Sequence, residues 1–398
     1  MTGENKHIDR FVSLILKIIA NFIYVPFWHL LRVFPRNPNL WVFGAWFGEK
    51  YTDNAKILFE YITVHDKTID AIWITRSKSV HKKLNEQNIK CYMNNSLRGK
   101  LVCLRAKFYI FSSAKYDINP LLMNGANSIQ LWHGSTLKKV GLDSFKKKNK
   151  LKNFILKYIT PFKWEFNYDA VVSSSQFYAD FLSTAFNMKK SQIIISGYPR
   201  NDVLFSDKKS KYLESLVKKY KSPKVFLYLP TFRDKDPEMD FFIKFGFDLK
   251  EWSQYLNDSN SILVIKPHFA AKINTNNIKS DRILLYNEKS EPDINLFMKD
   301  VDLLITDYSG VYFDFKLTSK PIVLAPFDLE EYISFSRELY IDYSTLIEPK
   351  GNNWNEILMI LKQKQYLEFS DNKSKFNDHY DGNSSERLLE SIKKRFLN

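Results

Sequence analysis

The 398-residue chain contains only two cysteines, Cys91 and Cys103, with no CxxC pair and no Cys/His ligand spacing, which excludes a disulfide framework and a zinc ribbon. That usage reads as an intracellular protein. There is no Gly-x-x-x-x-Gly-Lys-Ser/Thr loop and no convincing Gly-x-Gly-x-x-Gly turn, so ATPase and dehydrogenase readings have no motif to stand on. No carboxylate cluster with metal-ligand spacing occurs, and no tightly held ion is expected. Internal repeats, low-complexity tracts and recognised nucleic-acid modules are also missing.

A long uninterrupted hydrophobic run is missing too. The most apolar stretch, from Phe11 to Phe34, carries Phe11, Leu14, Ile15, Ile18, Ile19, Phe22 and Ile23 at helical spacing, but Lys17, Asn21, His29 and Arg32 break it and Pro26 kinks it. A charge near the bilayer centre costs roughly 2.5–3.5 kcal/mol, and no small-residue cleavage motif follows. The expectation is a helix lying in a membrane interface, with Trp28 at headgroup depth; a helix packed on the protein is the alternative. A second segment, 138–163, has Lys146, Lys147, Lys148, Lys150, Lys152 and Lys157 around Phe154, Ile155, Leu156, Tyr158 and Ile159. That is the pattern of a surface-binding amphipathic stretch or of a solvated charged face.

What is present is a folding composition, 44% hydrophobic and 26% charged, with 59 Lys+Arg against 44 Asp+Glu. The net charge of +15 favours anionic partners, and the length suggests two to three domains. Strand signals run over Leu40–Trp46, Ala71–Thr75, Phe108–Ser113, Ser128–His133, Ala170–Ser174 and Ile193–Gly197, separated by helical stretches such as Asn54–Val64 and Gln176–Phe186. After a charged segment the signals resume at Lys224–Leu229, Ile262–Lys266, Ile283–Tyr286, Leu303–Thr306 and Pro321–Ala325. The fold class expected is α/β, two doubly wound Rossmann-like domains facing a cleft. They span 37–206 and 207–398, behind an N-terminal helix in 1–36, and the stretch Asn383–Phe396 forms a last helix able to pack back on the first domain. Ligands of such sheets bind beyond the carboxyl ends of the strands, so motifs just after strands carry the chemistry.

His133 ends a strand in Trp132-His133-Gly134, an imidazole beside a flexible backbone, and its ordinary pKa near 6.5 suits a general base; a structural histidine is the alternative. Lys266-Pro267-His268 leaves another strand, and Lys266 with His268 could bind a phosphate. Thr306-Asp307-Tyr308-Ser309-Gly310 ends an apolar strand and opens a helix whose free N–H groups form an anion site, unless Ser309 is simply its cap. Gly197-Tyr198-Pro199-Arg200-Asn201-Asp202 and Pro230-Thr231-Phe232-Arg233-Asp234 each put an arginine at a cleft-facing turn, and Arg200 and Arg233 are candidate clamps on a pyrophosphate.

In this order, and together with the Gly44 region through Asp53-Asn54 and Asp328-Leu329-Glu330-Glu331-Tyr332, these motifs resemble the CDP-glycerol glycerophosphotransferase family of teichoic-acid and capsule enzymes. The resemblance spans Leu40 to Tyr332. It implies a glycosyltransferase-B-like fold on the cytoplasmic face of the membrane. It also implies a CDP-activated polyol as donor, a lipid-linked acceptor or growing polymer as partner, and CMP as product. By the resemblance His133 is the catalytic base and Asp53 lies near the acceptor. His268 stabilises the leaving CMP, aided by Thr306, Ser309 and Gly310, while Arg200, Thr231, Arg233 and Glu330 or Glu331 lie around the donor. The chain departs from the family at Ser135-Thr136, at Gly310 and at Ala325-Pro326-Phe327, which leaves the polyol open. Any Mg²⁺ is expected only loosely, on the donor diphosphate. A sugar-nucleotide glycosyltransferase and a CDP-ribitol enzyme are the near alternatives, and a basic nucleic-acid-binding protein or a non-catalytic membrane scaffold the remote ones.

Overall fold

A computed structural model of the chain describes residues 24–144, 166–233, 239–267, 278–288, 290–291, 293–335, 338–369 and 375–397. Short runs of β-branched and aromatic residues, apolar on both faces, make parallel strands that helices cover from both sides. Among the described residues the first sheet comprises β1 (Asn37–Gly44), β2 (Asp70–Thr75), β3 (Cys91–Met93), β4 (Ala106–Phe111), β5 (Asn127–Gln130), β6 (Ala170–Ser173) and β7 (Ile193–Ile195), in the order β3-β2-β1-β4-β5-β6-β7. The second comprises β8 (Lys224–Leu229), β9 (Ser261–Ile265), β10 (Ile283–Leu285), β11 (Leu303–Thr306) and β12 (Ile322–Leu324), in the order β10-β9-β8-β11-β12. Every pairing within them is parallel. The order reverses between β1 and β4 and again between β8 and β11, which puts one ligand crevice at the carboxyl end of each sheet.

The helix Asp53–His65 shows why the first crevice is rigid. Ala55, Leu58, Phe59 and Ile62, at helical spacing, are buried against the sheet residues Trp41, Phe43 and Trp73. The helix Ser384–Phe396 returns from the second half and buries Leu388, Leu389 and Ile392 in that same core. Asp202 anchors its start by accepting from the N–H groups of Ser384 and Ser385, both at 2.8 Å. The stretch 207–398 is therefore not confined to the second half.

The halves are fastened together at several points. Lys138 bridges to Leu339, and the Tyr340 hydroxyl donates to Asp143 at 2.9 Å while its ring stacks on Phe181 at 4.4 Å. At Gly310 a Cβ would stand 2.3 Å from the Ser135 carbonyl oxygen, so the missing side chain is what lets the halves approach there.

The two expected membrane segments are only partly within view. Residues 1–23 and 145–165 lie outside the described residues. Residues 24–34 dock through the Trp28 carbonyl, which accepts from Asn124 at 2.7 Å, and leave Tyr24, Phe27, Leu30, Val33 and Phe34 exposed. Among the described residues no helix is long and apolar enough to cross a membrane. The start of the basic segment is held by the second half, with Lys139 paired to Glu338 at 2.6 Å.

Because Leu388 is fully buried, Leu388→Ala is expected to lower unfolding free energy by about 2–5 kcal/mol in a urea titration. A loss below ~1 kcal/mol would mean that the returning helix is not part of the first core.

Candidate active site

The first crevice begins where β1 gives out. Trp46, Phe47 and Asp53 all take positive φ angles (47°, 58° and 66°), and Trp132 on the facing loop has 59°. Non-glycine residues avoid that region, and such strain gathers where a site overrides local preference. Asp117 holds the base of the turn, accepting from the N–H groups of Phe47 and Ser113, both at 2.7 Å. Burial pushes its carboxyl up to about 6, against the pull of those N–H donors. Asp53, at the head of its helix, accepts from the Trp46 indole at 3.2 Å and from the Asn54 N–H at 2.8 Å.

The expected strand through His133 stops at Gln130. The Gln130 side chain accepts from the Trp132 N–H at 3.0 Å, and Asn54 donates to the Trp132 carbonyl at 2.8 Å. Those bonds hold Trp132 in its left-handed turn and swing His133 out of the sheet, with its ring 4.1 Å from that of Trp132 and 6.1 Å from that of Trp46. The imidazole is open to solvent beside Trp46 and Trp132, yet protein surrounds it on most sides. Desolvation lowers its pKa; Asp53 raises it, Arg200 lowers it further, and a hydrogen bond with the Ser112 backbone raises it. The net shift is downward, so the ring is neutral at pH 7, and the Ser112 bond leaves the other nitrogen able to accept a proton.

Arg200 does not stand free for a pyrophosphate. Its Nη1 reaches Asp53 at 3.2 Å and its Nη2 reaches Asp314 at 2.5 Å. Burial alone would lower its pKa, but the two carboxylates carry it above the ordinary value. Gly134, with φ 107°, is required here: a Cβ would fall 2.0 Å from Nη2 of Arg200. Asn201 is buried and donates to Asp314 at 2.8 Å.

On the second sheet the carboxyl ends of β8 and β11 are knotted together. Asp307 accepts from the Thr231 N–H and hydroxyl at 2.9 and 2.6 Å, and Arg233 meets Asp307 at 2.9 Å and Asp328 at 2.7 Å. Arg233 is buried among the rings of Phe241, Tyr308 and Tyr332, each 4.9 Å away. The fork of the expected clamp is thus committed to two carboxylates, and its Nη1 donates to the Thr231 carbonyl at 2.7 Å. Thr306 is fully buried and donates to the Leu229 carbonyl at 2.7 Å, which removes its hydroxyl from the expected anion site. The helix after Ser309 and Gly310 is short, Val311–Phe315, with Gly310 at its cap position and Ser309 accepting weakly from Val311 at 3.4 Å. Glu330 and Glu331 are exposed on the first turn of Leu329–Phe335, where Glu331 pairs with Lys244 at 3.4 Å. His268 lies outside the described residues, but Lys266, two positions before it, is described and pairs with Glu288.

A cavity of about 550 Å³ runs between the halves. Asp53, Arg200, Trp46 and Lys50 line one wall, and Lys266, Asp293 and Asn295 line the other. It joins residues that the sequence placed at strand ends 200 positions apart, and His133 adjoins it through Trp46 and Asp53. Asn54 and Asp314 stood in the sequence motifs without a role of their own, and Asn295 was not singled out. Among the described residues no group of three His, Cys, Asp or Glu side chains could hold a metal ion. With a neutral imidazole adjoining one wall and the Lys266 ammonium, paired with Glu288, on the other, the crevice suits deprotonation of an alcohol beside a bound anion.

Comparison with known proteins shows the family and the fold. The family model of CDP-glycerol:poly(glycerophosphate) glycerophosphotransferases matches residues 27–394. A teichoic acid glycerol-phosphate transferase of Staphylococcus aureus is 29% identical over 394 residues, covering 95% of this chain and 98% of that protein. A teichoic acid glycerol-phosphate primase of Bacillus subtilis is 30% identical over 270 residues, covering 66% of this chain and 67% of that protein. A solved structure of the wall teichoic acid polymerase TagF, soaked with CDPG, superposes with a TM-score of 0.72 at 22% identity, covering 98% of each chain.

Substituting Gly134 by alanine combines strain at positive φ with a clash against Arg200, whereas at Gly246, φ 70°, nothing lies within 4 Å. Gly134→Ala is expected to cost about 1–3 kcal/mol more than Gly246→Ala in urea unfolding, and to alter the emission of the neighbouring Trp46 and Trp132. Equal costs would defeat the steric account.

Proposed function

The chain belongs to the CDP-glycerol:poly(glycerophosphate) glycerophosphotransferase family, and from that premise we propose that it transfers glycerol phosphate from CDP-glycerol to a lipid-linked acceptor in teichoic-acid synthesis. It is a phosphotransferase. The observation that carries the reading is the pairing of Asp53 and Arg200, with His133 adjoining them, on one side of the 550 Å³ cavity with Lys266 on the other. Glycerol phosphate stands in the names of the family and of both relatives, which favours CDP-glycerol over CDP-ribitol or a UDP-sugar.

In the reaction the acceptor hydroxyl attacks the phosphorus that bears glycerol. A new P–O ester bond forms as the bridging P–O bond of the diphosphate breaks, and the electron pair leaves with CMP. His133 takes the hydroxyl proton. The enzyme contributes position and charge stabilisation more than covalent chemistry, which suits two rigid walls. Lys266, on the donor side with His268 two positions further on, meets the charge that grows on CMP. Any Mg²⁺ would arrive with the donor diphosphate rather than on a site of its own.

Residues at the amino ends of the first sheet's strands, away from the crevice, support a seat at the membrane surface. Leu30 and Val33 are 67% and 80% exposed, and Leu97 on the helix Leu97–Arg105 is 75% exposed beside Arg98, Lys100 and Arg105. Both segments adjoin Arg36, which donates to the carbonyls of Cys103 and Leu122, each at 2.9 Å. Exposed apolar side chains ringed by basic ones fit an anionic cytoplasmic leaflet.

Purified enzyme given CDP-glycerol and a lipid-linked acceptor is expected to release CMP and extend the acceptor by one glycerol phosphate per turnover, read by mass; comparable turnover of CDP-ribitol or a UDP-sugar would overturn the donor assignment. His133→Ala should lose about 10²–10⁴ in kcat. Because burial and Arg200 hold the imidazole below its ordinary value, the base is active above that lowered pKa and is lost as pH falls through it. The acid limb of kcat/KM should therefore lie below about 6.5, and a limb above that value would count against His133. Co-flotation with phosphatidylglycerol vesicles should weaken in a Leu30→Asp/Val33→Asp variant, and unchanged flotation would remove this surface from membrane binding.

A further inference from the structure

We propose that Asp314, contributed by the second half, is a positioning residue for the transfer: by gripping Arg200 it fixes Asp53 and the His133 loop, so that the base is aligned only while the halves are docked. The inference rests on the reading of His133 as the base.

The argument starts from what holds Arg200. On the first half, Asn54 accepts from its backbone N–H at 3.0 Å and donates to the Trp132 carbonyl, so one side chain ties the Arg200 turn to the residue before His133. The guanidinium leans on the bare Cα of Gly134, the residue after His133. From the second half come Asp314, at 2.5 Å from Nη2, and Asn295, which donates to the Arg200 carbonyl at 3.3 Å and to Asn201 at 3.0 Å. Asp314 also accepts from Asn201 at 2.8 Å. Both oxygens of a buried carboxylate are thereby committed to residues of the other half. Without Asp314 the fork would be free to rotate wholly onto Asp53, pulling that carboxylate off the Trp46 indole and withdrawing the support behind Gly134.

Asp314 is also well placed to link the two substrates. It sits four residues after Gly310, on the short helix Val311–Phe315 that leaves the turn at Thr306–Gly310. That turn abuts Ser135, two residues beyond His133, at the point where Gly310 has no room for a Cβ. One rigid segment of the second half thus touches the base loop at Ser135 and sets Arg200 behind it. Nothing in this arrangement requires Asp314 to meet either substrate.

The charges facing His133 give the role a signature. Asp53 heads its helix, Arg200 comes from the turn Pro199–Phe205, and Asp117 lies behind the Ser112 backbone; Lys50, Lys266 and Glu288 stand along the cavity. Removing the Asp314 charge leaves Arg200 less compensated, which depresses the imidazole further. Removing Arg200 as well leaves Asp53 uncompensated, which raises it.

The test uses the full-length enzyme with CDP-glycerol and a lipid-linked acceptor. Asp314→Asn is expected to lower kcat by ~10- to 100-fold, the scale of a misplaced catalytic group. KM for CDP-glycerol should change less than about threefold, and the acid limb of the pH profile should move to lower pH. In Arg200→Gln/Asp314→Asn, which leaves no ion of this pair buried alone, kcat should be similarly reduced and the limb should move to higher pH; this variant decides the matter if the single one does not fold by circular dichroism. Wild-type kcat with an unmoved limb, or a loss residing entirely in KM, overturns the role of Asp314. His133→Ala, measured in parallel, separates the two readings. If it retains wild-type turnover the base assignment itself fails, whereas an inactive His133→Ala beside a fully active Asp314→Asn removes Asp314 alone.

Discussion

The guanidinium of Arg200 lies between two carboxylates that reach it from different halves, and much of the cleft follows from keeping that largely buried cation paired. A buried arginine with one partner removed leaves an uncompensated charge, typically at a cost of about 3–5 kcal/mol. The chain therefore brings Asp53 to it from the head of one helix and Asp314 from another. Glycine at 134 makes room for it, and glycine at 310 lets the second half come close enough to deliver its carboxylate. The imidazole between these features inherits a position and a protonation state from groups it does not all touch.

The second sheet solves a similar problem differently. Arg233 is enclosed by two carboxylates and three aromatic rings, and its function is to hold the exits of β8 and β11 side by side. The result is a stiff turn at Thr231, just beyond the carboxyl end of β8. A bidentate, ring-stacked guanidinium gives a fixed geometry that a lysine would not. The two arginines looked alike in the sequence, each following a strand; in the fold one couples the halves and the other braces one of them.

Much of this was legible beforehand, and the boundary of legibility has physical causes. Parallel strands buried on both faces are written as short apolar runs, so Ile262–Lys266 and Leu303–Thr306 stood out, and the residues after Leu303–Thr306 fell at the switch point between β8 and β11. Leu131 and Trp132 also look like strand, because nothing local reveals that Asn54, 78 residues away, holds Trp132 in a left-handed turn. Asp314 was hidden for another reason: it follows Tyr312 and Phe313 in a helix buried along its length, where no amphipathic pattern marks a polar residue as special. Arg233 could be read as a cation at a turn, but its partner Asp328 is 95 residues on, beyond what spacing can connect. Cysteine scarcity and absent phosphate-loop motifs narrowed the field correctly, while the ordered series of motifs named the family that the whole-chain match supports.

The return of Ser384–Phe396 to the first sheet reverses the order of synthesis and completion. That helix leaves the ribosome about 190 residues after β7, roughly 10–40 s later at ordinary translation rates. Until then the groove that accepts Leu388, Leu389 and Ile392 is open, an apolar trough flanked by parallel strands. The half made first is thus the half finished last, and the nascent chain leaves that apolar trough uncovered throughout translation of its second half.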